Sequence, residues 1–166
     1  MKFTVREQIN CDPVTFWKVF ATEDFVQAAG NTSGALETET VAQDGAPPAA
    51  FSRTVRTVRP VDVPGPAKKI LGETQTMVET GTFDPESGTW CYTVKSGTMA
   101  DKVTISGVQS VEERADGTVD KVNELDVTVK IFGVGAMVEK LIEGQIRKGE
   151  VANARALNEL LANRTV

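Results

Sequence analysis

The chain has 166 residues, enough for one domain with a real core and room for a cavity inside it. Its 18 Lys and Arg face 23 Asp and Glu, a net charge of −5, so the basic footprint that phosphate backbones require is absent and nucleic acid is not an expected partner. Histidine is missing altogether, which excludes a Ser-His-Asp triad, a Cys-His pair and any His-ligated metal or haem.

Residues 2–9 open the chain as a strand: Phe3, Val5 and Ile9 alternate with Thr4, Arg6 and Gln8. Asp12 can cap a helix whose first residue is Pro13, where the missing N–H costs nothing. Val14, Phe16, Trp17, Val19 and Phe20 then give that short helix a bulky apolar side. Thr22 offers a second cap, Glu23 and Asp24 suit the positive end of the helix dipole, and Gly30 is placed to end the second helix. Phe16, Trp17 and Phe20 are expected to pack these helices on a sheet.

From about Ser33 the texture turns to Thr- and Val-rich segments divided by turn residues. Strands are predicted over 35–43, 50–59, 73–83, 89–96, 103–113 and 119–131. Asp84-Pro85-Glu86-Ser87-Gly88 and Asp116-Gly117 read as hairpin loops. Residues 60–72 contain Pro60, Pro64 and Pro66 and are read as a loop crossing one end of the sheet, with room for a helical turn near its close. Residues 134–163 lack proline, and Val138, Leu141, Ile142, Ile146, Ala156, Leu157, Leu160 and Leu161 recur at threes and fours. This predicts one long amphipathic helix, with Glu139, Glu143, Arg147, Glu150 and Arg155 on its other sides. A strand, two short helices, about six further strands and one helix define an α+β layout in one domain over residues 1–166.

Two stretches resemble a known superfamily. One is Asn10-Cys11-Asp12-Pro13 followed by Phe16-Trp17-Lys18-Val19-Phe20 and Asp24-Phe25; the other is Ile131-Phe132-Gly133-Val134-Gly135-Ala136-Met137-Val138-Glu139-Lys140-Leu141-Ile142. In order, and at the right ends of the chain, they resemble the START-like (SRPBCC) superfamily of birch pollen allergen-like helix-grip proteins, and the second resembles an uncharacterised bacterial branch of it. The resemblance implies a curved antiparallel sheet of about seven strands around a long C-terminal helix. It also implies a cavity for a hydrophobic small molecule such as a lipid, a sterol-like or isoprenoid species, or a polyketide. Catalytic residues are not shared across the superfamily, and none is assigned here. Small inward residues favour a hollow interior, because aromatics are only 6% of the chain and the strands are rich in Thr, Val and Gly. A flattened, fully packed sandwich is the alternative.

The residues expected to line such a cavity are Met77, Trp90, Tyr92, Val127, Val129, Met137 and Leu141. Trp90 and Tyr92 share a strand face, where they line a pocket or form an ordinary cross-strand cluster; the methionines serve as pocket wall or as core filling. Arg56, Glu79 and Glu124 are the charged residues within strands that could anchor a polar group. Arg53 and Arg59 share one face of their strand and Arg56 takes the other, with the inner face left open. Residues 60–72 and the two short helices are expected to frame the entrance. Three functions fit this picture: a carrier or binding protein, a polyketide cyclase or dehydratase using polar groups in the cavity, and a protein-interaction module with a filled core.

No cofactor or metal is expected. Gly133-Val134-Gly135 lacks the Gly or Ala needed at Val138 and the β-α-β context of a dinucleotide site. Cys11 and Cys91 are read as free thiols. The N-terminus has no apolar run of a signal peptide, and no stretch approaches the ~20 apolar residues of a membrane span. A cytoplasmic location without stable membrane insertion is the expectation, and oligomeric state is left open.

Overall fold

The computed structural model describes residues 1–164. In chain order the elements are β1 (Lys2–Ile9), α1 (Pro13–Phe20), α2 (Glu23–Thr32), β2 (Glu37–Gly45), β3 (Phe51–Pro60), α3 (Gly65–Leu71), β4 (Thr74–Asp84), β5 (Thr89–Ser96), β6 (Val103–Glu113), β7 (Val119–Val129) and α4 (Gly135–Arg164). The strands form one seven-stranded sheet in the order β1-β7-β6-β5-β4-β3-β2, with every neighbouring pair antiparallel. The sheet curves around α4, so the α+β helix-grip architecture is the one observed.

Both expected caps form. Asp12 Oδ1 accepts from the Thr15 backbone N–H at 3.0 Å, and Thr22 Oγ1 accepts from that of Phe25 at 3.2 Å. Two local readings are corrected. Gly30 does not end α2, which runs on to Thr32; it is buried where the Thr38 side chain of β2 occupies the space a Cβ would take. The crossing after β3 is more than a loop, because Gly65–Leu71 closes into α3 and the Gly72 N–H donates to the Lys68 carbonyl at 2.8 Å.

The interior divides into three zones along α4. At one end an aromatic plug joins Phe16, Trp17 and Phe20 of α1, Phe25 of α2, and Phe51, Phe83 and Trp90 of the sheet to Leu157 and Leu161 of α4. The expected packing of the α1 aromatics is seen in the Trp17–Phe83 ring contact at 4.5 Å and the Phe20–Trp90 contact at 5.4 Å. At the other end an aliphatic zone gathers Val5, Val103, Ile105, Leu125, Val127 and Val129 around Val138, with Ile142 and Ile146 against it. Between them lies a polar belt: Arg53, Lys121, Asn123, Gln109 and Glu150 are all buried. Tyr92 touches both apolar zones and so spans the belt.

Candidate functional site

The belt is built by strand alternation and helix spacing. Phe51, Arg53, Val55, Thr57 and Arg59 fall on one face of β3, and the burial of Phe51 and Arg53 marks that face as the inner one. Val119, Lys121, Asn123, Leu125, Val127 and Val129 are the inner series of β7. Glu150 belongs to the inward stripe of α4, four residues past Ile146 and four before Ala154, rather than to the helix's wet sides as its charge suggests. Lys121 Nζ meets Glu150 Oε2 at 2.6 Å, with each side chain no more than 10% exposed. Asn123 Nδ2 donates to Glu150 Oε1 at 3.0 Å and to the Tyr92 hydroxyl at 2.7 Å.

Gly107 places Tyr92 across the sheet. It is the register partner of Tyr92 on β6, and a Cβ there would occupy the space of the phenol ring. Gly81 on β4 likewise clears the space used by the Trp90 indole. Absent side chains at two inward positions therefore let large rings lie flat across their neighbours.

Two adjacent spaces that share part of their walls open beside the belt. The larger, about 260 Å³, lies between the sheet and the N-terminal half of α4. Its sheet walls include Met77, Tyr92, Val94, Val103, Ile105 and Leu125; α4 contributes Leu141, Ile142 and Ile146, and the β3–β4 crossing contributes Val61, Val63 and Leu71. The smaller, about 120 Å³, reaches toward the aromatic plug and is lined by Arg53, Gln109, Lys121, Asn123 and Trp90. Thr57, Arg59, Glu79, Tyr92, Glu150 and Asn153 belong to both walls. The fully packed sandwich is thus not what forms. A third depression, larger but open, lies against the outer face of the sheet and is lined by Thr80, Thr82, Cys91, Thr93, Val108 and Glu124.

Glu79 faces both spaces, enclosed within the fold yet partly accessible from them. Burial pushes its carboxyl above the usual range, opposed by the charge of Arg53, reinforced by Glu150, and opposed again by Lys121 and Arg59. Burial also lowers the affinity of the Arg53 and Arg59 guanidiniums for their protons, with Glu79 pulling the other way in both. The Tyr92 hydroxyl is held well above its ordinary value, chiefly by burial and then by Glu79 and Glu150.

Of the residues singled out in the sequence, Met77, Tyr92 and Leu141 line the larger space and Trp90 the smaller. Val127 and Val129 are packed in the aliphatic zone and Met137 is half exposed, so none of the three is among the residues lining either space. Glu79 faces the interior; Arg56 and Glu124 do not. Arg56 alternates out of phase with Phe51 and pairs on the outer surface with Glu37 at 2.6 Å and Glu39 at 3.5 Å. Glu124 alternates out of phase with Leu125 and is exposed in the outer depression. The crossing borders the larger space as expected, whereas Phe20 and Phe25 of the first two helices wall the smaller one. Sequence reasoning missed Arg53, Gln109, Lys121, Asn123 and Glu150 as one group. The available signal was polar residues recurring in phase with buried ones. Cys11 and Cys91 are free, and burial pushes the Cys11 thiol up to about 11. Among the described residues no cluster of metal-ligating side chains occurs, and no helix is long and apolar enough to cross a membrane.

A curved sheet wrapped on one terminal helix, hollow on its concave side, is the START-like helix-grip fold, and solved structures share it. TTHA0849 from Thermus thermophilus superposes with a TM-score of 0.72 at 14% identity, covering 100% of both chains. The Zhui aromatase/cyclase from Streptomyces sp. R1128 gives 0.69 at 17% identity, covering 100% of this chain and 96% of the other. A START superfamily protein from Mycobacterium smegmatis gives 0.63 at 14% identity, covering 96% and 98%. No curated protein matches the sequence. The family model for a protein of unknown function, DUF2505, matches residues 4–161, and the chain belongs to that family.

Proposed function

We propose that this chain binds a hydrophobic small molecule in the space between its sheet and α4, as a carrier or binding protein. The observation that supports this most is the 260 Å³ hollow with its predominantly aliphatic walls. A void of that size with apolar walls forfeits packing contacts when empty, and an apolar guest restores them. Its volume lies just below the range of drug-sized ligand pockets, which suits a compact lipid, isoprenoid, sterol-like or polyketide species. Burial contributes at about 25 cal/mol per Å² of apolar surface. Met77, Tyr92 and Leu141 would touch the guest, and Glu79 would meet any polar group it carries. Native mass spectrometry with organic extraction tests the reading: a bound apolar mass, or uptake of added fatty acid, is expected. A protein that is empty as purified and takes up no apolar probe contradicts it.

Glu79 favours a second reading, acid–base chemistry of the cyclase or dehydratase type on a bound guest. It is an inward ionisable group beside the cavity with its carboxyl pushed toward the protonated form by burial. The two readings part on one variant. Under catalysis, Glu79→Gln retains uptake and the extracted guest is no longer converted, read by its chromatographic retention for ring closure and by its mass for loss of water; under carriage, the guest leaves unaltered from both proteins.

A further inference from the structure

Several buried polar atoms of the residues around the smaller space lack hydrogen-bond partners. Arg53 is 4% exposed, and its guanidinium sits 4.6 Å from the Phe20 ring centre and 5.4 Å from that of Trp90. Nη1 donates to the Phe20 carbonyl at 2.6 Å, while Nε–H has no partner. Gln109 is 5% exposed, and its Nε2 also lacks a partner. Neither Arg53 nor Arg59 forms an ion pair with Glu79 at contact distance, although Glu79 feels the charge of both and Arg53 also feels that of Glu23. Lys121, by contrast, has an ion-pair partner in Glu150 at 2.6 Å. With that pair neutralised, two guanidiniums face one carboxyl group across open space. Buried donors left in this state are costly unless something accepts from them.

We infer that this polar chamber seats the acidic end of the guest, a carboxylate whose hydrocarbon body lies in the adjoining apolar space. The inference rests on the binding function proposed above and adds the chemical class of ligand. Three features favour an anion over a neutral head. Of the four side-chain atoms around this space without a hydrogen-bond partner, three are donors, on Arg53, Gln109 and Trp90, and one, Glu150 Oε2, is an acceptor, so what is chiefly missing is an acceptor. The local charge, once Lys121 and Glu150 cancel and the Glu23 carboxylate that also acts on Arg53 is counted, is positive by one when Glu79 holds a proton and zero when it does not. The aromatic faces of Phe20 and Trp90 hold the Arg53 guanidinium in one plane, so it is preorganised before a ligand arrives. A protonated Glu79 also offers an O–H to the incoming carboxylate in place of a like charge. Water is the competing occupant, since about 120 Å³ has room for roughly four molecules at ~30 Å³ each.

The test compares decanoate, decanol and methyl decanoate by displacement of a neutral fluorescent lipid, first on the unaltered protein. Decanoate is expected to bind about tenfold or more tighter than either neutral analogue. Arg53→Met should erase that preference while leaving decanol binding in place, and Gln109→Leu should reduce it. Equal binding of all three overturns the acid seat, assigns the chamber to water and leaves apolar binding standing. Binding of none of them overturns the binding function as well. A preference for decanoate that survives both substitutions in folded protein also overturns the seat. If Arg53→Met does not fold, the comparison on the unaltered protein and Gln109→Leu decides.

Discussion

The Lys121 ammonium of β7 and the Glu150 carboxylate of α4 meet at 2.6 Å in the middle of the interior, tying the sheet to the helix it wraps. Both are buried, and Asn123 supplies a hydrogen bond to the second carboxylate oxygen at 3.0 Å. A pair of this kind adds little net stability over apolar packing, yet breaking one side strands the other charge. Lys121→Met is therefore expected to destabilise the fold by about 3–5 kcal/mol. Lys121→Met combined with Glu150→Leu should recover most of that loss. Urea denaturation of the single and double variants measures it, and additive losses would contradict the account.

Gly107 and Tyr92 provide a second, steric test. The phenol ring fills the space of a Gly107 Cβ, so Gly107→Val must displace it and with it the contact to Asn123. The expected cost is about 1–3 kcal/mol. Adding Tyr92→Leu should relieve most of the penalty, because the ring causes it. Thermal melts of the three variants check this; an equal penalty with and without the ring would point elsewhere.

Glu79 carries a pH dependence with a definite sign. Its folded-state affinity for a proton is raised by burial above the unfolded value of about 4.3. Arg53 and Arg59 of β3 and Lys121 of β7 oppose the shift, Glu150 of α4 supports it, and Tyr92 of β5 stays protonated nearby. As pH rises past the unfolded value, the unfolded chain releases its proton while the folded chain retains it. The contribution of this residue to stability therefore falls with rising pH until its folded value is passed, and is constant above. Glu79→Gln should raise the urea midpoint, with a gain that widens as pH rises above the unfolded value and levels off once the folded value is passed. A gain independent of pH would show that the carboxyl is already ionised throughout.

Most of the scaffold could be read from the sequence because its signals are local. Alternation fixed the strands to within about two residues of their observed ends, and Asp12 and Thr22 marked helix starts because capping needs only their own neighbours. The polar belt was harder, because its sense is non-local. Glu150 looks like one more charge on the wet side of an amphipathic helix until Lys121 is known to stand opposite. Lys121 and Asn123 look like breaks in a buried strand for the same reason. Arg53 and Arg59 were placed correctly on a common face, but choosing the inner face needed Phe51, whose burial depends on α1 and α2. Arg56 and Glu124 show the converse: a charged residue within a strand says little until its phase against a buried neighbour is fixed.

The hollow beside Met77, Val94 and Leu141 carries the account's main claim, and filling it is the most direct test. Val94→Phe adds a ring on the cavity wall, so it should abolish uptake of a fluorescent fatty acid while leaving stability unchanged or raised by about 0.5–2 kcal/mol. The measurement is a binding titration of the unaltered protein and Val94→Phe side by side. Saturable uptake by the first and none by a folded second is the predicted result; equal uptake by both, or none by either, contradicts it.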